Sequence, residues 1–399
     1  MRRSDHQLPR LFYSFIIVEC FSKNFQGKTS FRRVPFFRNL LGFFAGGAMV
    51  KKRRFESIQV LRFIAASFVV AIHFSLELNK HVSHKFIILD GNSGVDIFFV
   101  ISGFVIALTS GSCSGGIDFL RRRIFRVVPL YWTITIAVFT VAYFSPSVLY
   151  STKANPLYLL KSLLFIPFAK EKGLIEPVLN VGWTLNYEMF FYIVFAICLS
   201  LCRKPIIAVS GFFVVLVIIG WMFVPQNLLI IQFYTNGIIL EFVAGMWIYE
   251  FYSLRNFSHV TFSWIIVFIG AAGLLCQMIY FIDFPREIKF GIFSAILVFG
   301  AVSLPFVKNT ILASAVLLGD ASYSLYLIHQ FFSRTMGLIL HRLGIVSLVY
   351  VDICVALFVI ATMICSLVIY RLFERPSTDF LNNMWRKRFV RSALTSEPS

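Results

Sequence analysis

From Ser57 onward the chain alternates long apolar runs with short polar breaks. The run 57–78, SIQVLRFIAASFVVAIHFSLEL, suffices to cross about 30 Å of hydrocarbon at about 1.5 Å per residue. By the same measure further runs lie at 94–111, 127–145, 181–202, 205–223, 228–251, 260–281, 287–306, 314–340 and 345–372. Their lengths predict an all-α, polytopic transmembrane helix bundle of about ten spans, because a chain in lipid must satisfy its backbone within each span. Between the third and fourth runs, NPLYLLKSLLFIPF is too short to cross and reads as an interfacial or re-entrant piece.

The polar breaks orient the bundle. Starting inside, the inner segments hold Lys51–Arg54, Arg121–Arg123 with Arg126, Arg203–Lys204, Arg255, Lys308 and the basic tail. The outer loops carry fewer and more mixed charges, the third-to-fourth loop with Lys153, Lys170 and Lys172 being the exception. This bias predicts both termini in the cytoplasm. Residues 1–48 hold no run long enough to span, and they lack the apolar core and cleavage site of a signal peptide. Met49, followed by Val-Lys-Lys-Arg-Arg, reads as the start of the membrane domain, 49–376, and residues 377–399 as a basic cytoplasmic tail.

Composition agrees. The chain is 399 residues long, 58% hydrophobic and only 14% charged, against roughly 25% charged in a soluble domain. A net charge of +18 would suggest nucleic acid in a soluble protein, but here the basic residues lie between and beyond the spans, and no nucleic-acid module is present. The seven cysteines are scattered, mostly inside apolar runs, without paired metal spacing, so no metal site is expected.

Within this apolar frame a few ionisable residues stand out, since each costs energy in lipid unless it faces a partner or a cavity. Arg62 and His73 lie eleven residues apart in the first span, about 16 Å of rise with about 20° of angular drift, so they share one face. Glu188, in VGWTLNYEMFFY, enters the fourth span at a depth similar to that of His73, where a carboxylate would orient an imidazole base. Arg123 and Arg126 share a helix face at i, i+3 at the inner mouth of the third span, a pairing suited to the phosphates of an anionic cofactor. Tyr323, Tyr326 and His329 recur at i, i+3 and i+6 as one polar stripe of the ninth span. Asp96 reads as a cap of the second helix, and RLFERP, with Glu374 between Arg371 and Arg375, as an interfacial salt-bridged stop. Ser102 and Ser322 lack the adjacent base that activates a nucleophile.

Taken together, LRFIAASFVVAIHF, GVDIFFVISGF, RRRIFRVVPLYW, WTLNYEMFFY, SYSLYLIHQ and FERP, in this order over residues 55–376, resemble the acyltransferase family 3 of integral-membrane acyltransferases. The resemblance implies a ten-helix bundle that moves an acyl group, most often acetyl, from cytoplasmic acyl-CoA to a hydroxyl of an extracytoplasmic or lipid-linked glycan. It implies that His73 is the essential histidine and general base, that Arg62, Arg123 and Arg126 lie on the CoA side, and that Trp183 and Glu188 form the Trp-[Ser/Thr]-Leu-x-x-Glu element. The expected catalytic pair is His73 and Glu188. Arg62, Arg123, Arg126, Trp183, Tyr323 and His329 are expected to bind substrate, with Tyr323 or Trp183 at the oxyanion. Acyl-CoA is a donor substrate rather than a resident cofactor, the partners are the glycan and membrane lipid, and the location is a bacterial cytoplasmic membrane.

Two other classes compete. A transporter or exporter of a small acylated or anionic metabolite also places His, Arg and Glu in the membrane, but would favour inverted repeats and broken helix pairs. A structural component of a polysaccharide-export machine would act only through partners.

Overall fold

The computed structural model describes residues 55–80, 93–145, 154–170, 173–225, 227–254, 260–280, 284–305, 310–343 and 348–395; Met49 and the N-terminal extension lie outside them. Regular structure among these residues is helical, apart from one isolated bridge between Ala169 and Ile175. The helices are α1 (Glu56–Leu78), α2 (Ser93–Ser110), α3 (Gly116–Phe144), α4 (Pro156–Leu163) and α5 (Trp183–Leu201). There follow α6 (Pro205–Phe223), α7 (Leu229–Tyr234), α8 (Leu240–Leu254), α9 (Val260–Tyr280) and α10 (Ile292–Ser303). The chain closes with α11 (Thr310–Asp320), α12 (Ser322–Leu343), α13 (Leu348–Ile369) and α14 (Arg375–Thr395).

Eight helical stretches of the described residues are long and apolar enough to cross a membrane, and the chain is an integral membrane protein. Two predicted spans take another form. The stretch 287–306 is a π turn, Glu287–Gly291, running into the 12-residue α10. The stretch 314–340 breaks at Ala321 into α11 and α12; Gly319, just before the break, brings α11 against the backbone of Gln59 in α1, where a Cβ would collide. The tail is not loose either. It forms α14, held to α3 by Thr378 Oγ1 donating to Phe125 O (3.3 Å), by Arg121 Nη1 donating to Asn382 Oδ1 (3.2 Å), and by the Arg121 guanidinium over the Trp385 ring (5.1 Å).

The centre of the bundle is α2. Twelve of its 18 residues are buried, whereas α6 buries two of 19 and turns the rest of its apolar surface outward. Helices in lipid gain little from apolar burial and associate through close packing, which small residues permit. Here α2 and α8 use glycine reciprocally: Gly103 lies against the backbone carbonyl of Phe242, and Gly245 against that of Val100. Beside this seam Phe99, Phe242, Phe191 and Phe213 form a stacked column, with ring centroids 4.5, 4.7 and 5.2 Å apart, tying α2, α8, α5 and α6 together.

The short amphiphilic piece is α4, capped by Asn155, whose Oδ1 accepts from Leu157 N (2.9 Å), with Pro156 in the first turn. It ends in a Schellman turn, Ile166 N donating to Lys161 O (2.9 Å) and Phe165 N to Ser162 O (3.1 Å). The left-handed position is held by Phe165 (φ 56°) rather than glycine, and its ring stacks on Tyr131 at 4.9 Å. Tyr131 and Trp132 donate to the α4 carbonyls of Ser162 (3.2 Å) and Leu163 (2.8 Å). The aromatic pair of the PLYW sequence therefore anchors α4.

Candidate functional site

Residues of α1, α2, α3, α5 and α12 surround one cavity of about 100 Å³. On α2 its lining runs from Val95 to Val105, ten residues and so about 15 Å along the helix axis. One end is cationic, with Arg62, Arg123 and Arg126. The other is lined by Val95, Phe98, Thr184 and Tyr326.

At the cationic end the four arginines of α3 divide into two pairs. Arg121 and Arg122 both pair with Asp118, at 2.5 and 2.7 Å. Arg123 and Arg126 face the cavity, as their spacing predicts. Arg123 is buried and built in: it donates to Thr109 Oγ1 and to Val105 O (3.3 Å), with the Phe119 and Tyr192 rings at 5.4 and 5.7 Å. Arg126 makes no hydrogen bond or ion pair among the described residues, and Arg62 donates only to Gln59 Oε1 (3.3 Å). Two carboxylates balance this charge. Glu188 accepts from Ser102 Oγ (3.2 Å) and from the Tyr192 hydroxyl. Glu374, buried, accepts from Ser324 Oγ (2.5 Å), and its charge bears on Arg126 and Arg62.

The sequence predicts Glu374 in an interfacial stop, salt-bridged to its flanking arginines. Instead the π turn Tyr370–Glu374 adds a residue to one helical turn and swings the carboxylate inward, leaving only Arg375 with a distant exposed partner, Asp379 at 3.8 Å.

The expected pairing of His73 with Glu188 is not formed. His73 has its ring edge-to-face with that of His329, centroids 4.8 Å apart at 77°. Its Nδ1 lies 2.9 Å from Val69 O, and His329 Nδ1 lies 2.7 Å from Tyr326 O. A carbonyl only accepts, so each Nδ1 carries the hydrogen and each Nε2 presents a lone pair. Equal depth misled the sequence reading, because Glu188 and His329 are both candidates by depth and only packing separates them. The polar stripe of α12 is real: Tyr323 and Tyr326 line the cavity and His329 continues toward His73. Tyr326, fixed by Thr184 Oγ1 and Val181 O (both 2.9 Å), and Phe98, 6.1 Å from it ring to ring, stand between the cavity and the imidazole pair.

Three further expectations change. Tyr323 gives its hydroxyl hydrogen to Val127 O (2.8 Å), so that hydrogen is not free for an oxyanion. Trp183 does not line the cavity; it packs on Phe99 and Tyr187 and carries the Arg286 guanidinium 5.6 Å from its ring. Asp96, fully buried, lies in the first turn of α2 as expected but does more than meet the helix dipole: it holds Arg286 through two hydrogen bonds of 3.1 and 2.9 Å, fixing the π turn at 287–291 to α2. Sequence reasoning set aside Ser322, whose buried Oγ lines the cavity without a partner. Its signal was its place one residue before Tyr323 in the polar stripe.

Comparison with known proteins places these features in a family. Residues 55–371 match the acyltransferase 3 family model, described as an acyltransferase domain. The chain is 36% identical over 265 residues to "Exopolysaccharide production protein ExoZ" of Rhizobium meliloti (strain 1021), covering 63% of this chain and 79% of that protein. It is 27% identical over 169 residues to "Acyltransferase MdmB" of Streptomyces mycarofaciens, covering 38% of this chain and 41% of that protein. No solved structure matches.

Proposed function

The chain belongs to the acyltransferase 3 family, and from that premise we propose that it transfers an acyl group, acetyl above others, from cytoplasmic acyl-CoA to a hydroxyl of an extracytoplasmic glycan. The observation that carries this reading is the cavity, cationic at one end and closed at the other by Phe98 and Tyr326, beyond which Tyr326 packs on His329 and His329 on His73. The bundle lies in a bacterial cytoplasmic membrane with about ten crossings and both termini inside, a topology supported by the basic inner segments. The exopolysaccharide in the ExoZ name supports a surface or lipid-linked glycan as acceptor.

Arg62, Arg123 and Arg126 hold the phosphates of CoA at the inner end, where Arg126 has a guanidinium to spare. The pantetheine arm threads the cavity and brings the thioester to the Tyr326–Phe98 end.

His73 Nε2 takes the proton of the acceptor hydroxyl as that oxygen attacks the thioester carbonyl. The C–S bond breaks, and the CoA sulfur leaves and recovers the proton. Transfer is direct, since neither Ser102, engaged with Glu188, nor Ser322 has an adjacent base to make it a nucleophile.

The test is glycan acylation in a deletion strain expressing wild type or His73→Ala at matched membrane levels. Loss of ester in the variant alone, by mass spectrometry, is expected. Unchanged esters with altered glycan export would move the protein to the transporter class.

A further inference from the structure

A buried polar atom without a partner is rare and calls for a reason. His329 Nε2 is such an atom: the residue is fully buried, its Nδ1 is committed to Tyr326 O, and among the described residues nothing donates to its other nitrogen. It sits against the one residue that, on the reading above, must change its protonation during turnover.

His73 becomes an imidazolium each time it deprotonates an acceptor. In most sites of this kind a carboxylate stabilises that cation. Here Glu188 is occupied by Ser102 and Tyr192. The charged groups that bear on His73 are Arg334 of α12 and Lys80 just past α1, both cations; Glu77, one turn from His73 on α1, is engaged by Lys80 at 2.6 Å. The apolar cluster flanking the pair brings Phe98 from α2 and Cys354, Val355 and Phe358 from α13. Tyr326, the remaining polar neighbour, is held by Thr184 and Val181. Among these groups the lone pair of His329 Nε2 is the acceptor left for a new N–H.

We propose that His329 is a positioning residue for His73, and that its Nε2 accepts the hydrogen bond of the Nε2–H which His73 gains when the acceptor hydroxyl is deprotonated. The proposal rests on His73 being the general base. The hydroxyl proton moves to His73 Nε2, the hydroxyl oxygen bonds to the thioester carbon, and the C–S bond breaks. While the tetrahedral intermediate stands, the new N–H is shared with His329 Nε2, whose ring centroid lies 4.8 Å from that of His73. The proton then passes from His73 to the departing sulfur, and both imidazoles end neutral. Each Nδ1–H stays on its backbone carbonyl throughout, so the tautomers are fixed by the main chain and no carboxylate is needed to set them.

The experiment uses the full chain in proteoliposomes with radiolabelled acetyl-CoA and a glycan acceptor. It compares His329→Leu, which removes the acceptor atom, with His329→Gln, which keeps one. Removing the hydrogen bond disfavours the imidazolium, so in His329→Leu the acid limb of kcat/KM moves to lower pH, by about one unit. In that variant kcat falls roughly 10- to 100-fold while KM for acetyl-CoA holds, and His329→Gln recovers a large part of both. Equal losses in Leu and Gln with the acid limb in place would overturn the proposal and make His329 a packing residue. So would an unchanged kcat and pH profile in His329→Leu alongside a dead His73→Ala, an outcome that leaves His73 as the base. Full transfer by His73→Ala would instead overturn the reading on which the proposal stands.

Discussion

Arg126 offers the sharpest separation of binding from folding. Its guanidinium lines the cavity beside Arg62 and Arg123 yet bonds to nothing among the described residues, whereas Arg123 holds Thr109 and Val105 O. Arg126→Gln should therefore leave the melting temperature of the detergent-purified protein nearly unchanged. If the guanidinium grips a phosphate of the donor, the variant loses a charged hydrogen bond of about 1.5–3 kcal/mol, roughly a 10- to 100-fold rise in KM for acyl-CoA. Arg62 and Arg123 remain to hold the other oxygens, which places the loss toward the lower figure. The assay is initial-rate acyl transfer from acyl-CoA and, in parallel, from acyl-pantetheine, which presents the same thioester and arm without phosphates. The variant should be impaired with the first donor and match wild type with the second. Equal impairment with both, or none with either, would refute the reasoning.

Two further expectations concern the frame. Gly103→Ala drives a methyl into the backbone carbonyl of Phe242 at the α2–α8 seam and should cost about 1–3 kcal/mol, read as a lowered melting temperature, while Gly211→Ala on α6, with open space around it, serves as a silent control. Asp96→Asn replaces the carboxylate that holds Arg286 through two hydrogen bonds with a neutral amide and should destabilise the bundle by about 3–5 kcal/mol. Arg286 is 28% exposed, so the effect falls near the lower figure; adding Arg286→Met should restore part of the stability, and no recovery would place the worth of Asp96 elsewhere.

Hydropathy and helical spacing carried much of this protein. Four of the first five long runs became α1, α2, α5 and α6 nearly residue for residue, the third ran back eleven residues further as α3 to take in its arginines, and the i, i+3 spacing of Arg123 and Arg126 put both on the cavity wall. What escaped the sequence did so for physical reasons. RLFERP reads as an interfacial salt-bridged stop, and the extra residue of the π turn at 370–374, which no local pattern announces, lets Glu374 bear on Arg62 and Arg126 instead. Depth along an axis cannot tell Glu188 from His329 as the partner of His73, because contact depends on which helices adjoin: α1 packs on α12. Asp96 finds Arg286 190 residues away, beyond the reach of any local pattern. Residues 377–399 read as a basic cytoplasmic tail, and only tertiary contacts show it as a docked helix: Arg121 of α3 stacks on Trp385 and donates to Asn382, and Thr378 donates to Phe125 O.

The central claim is that the acyl group enters at the arginine end and leaves at the His73 end of one bundle. It is tested most directly in sealed proteoliposomes of known protein orientation, with labelled acetyl-CoA confined to the side of Arg62, Arg123 and Arg126 and a glycan acceptor confined to the other. Labelled ester on the acceptor, produced by wild type and absent with His73→Ala, is the predicted result. Label reaching acceptor only when both substrates share one side, or transfer undiminished in His73→Ala, would contradict the account.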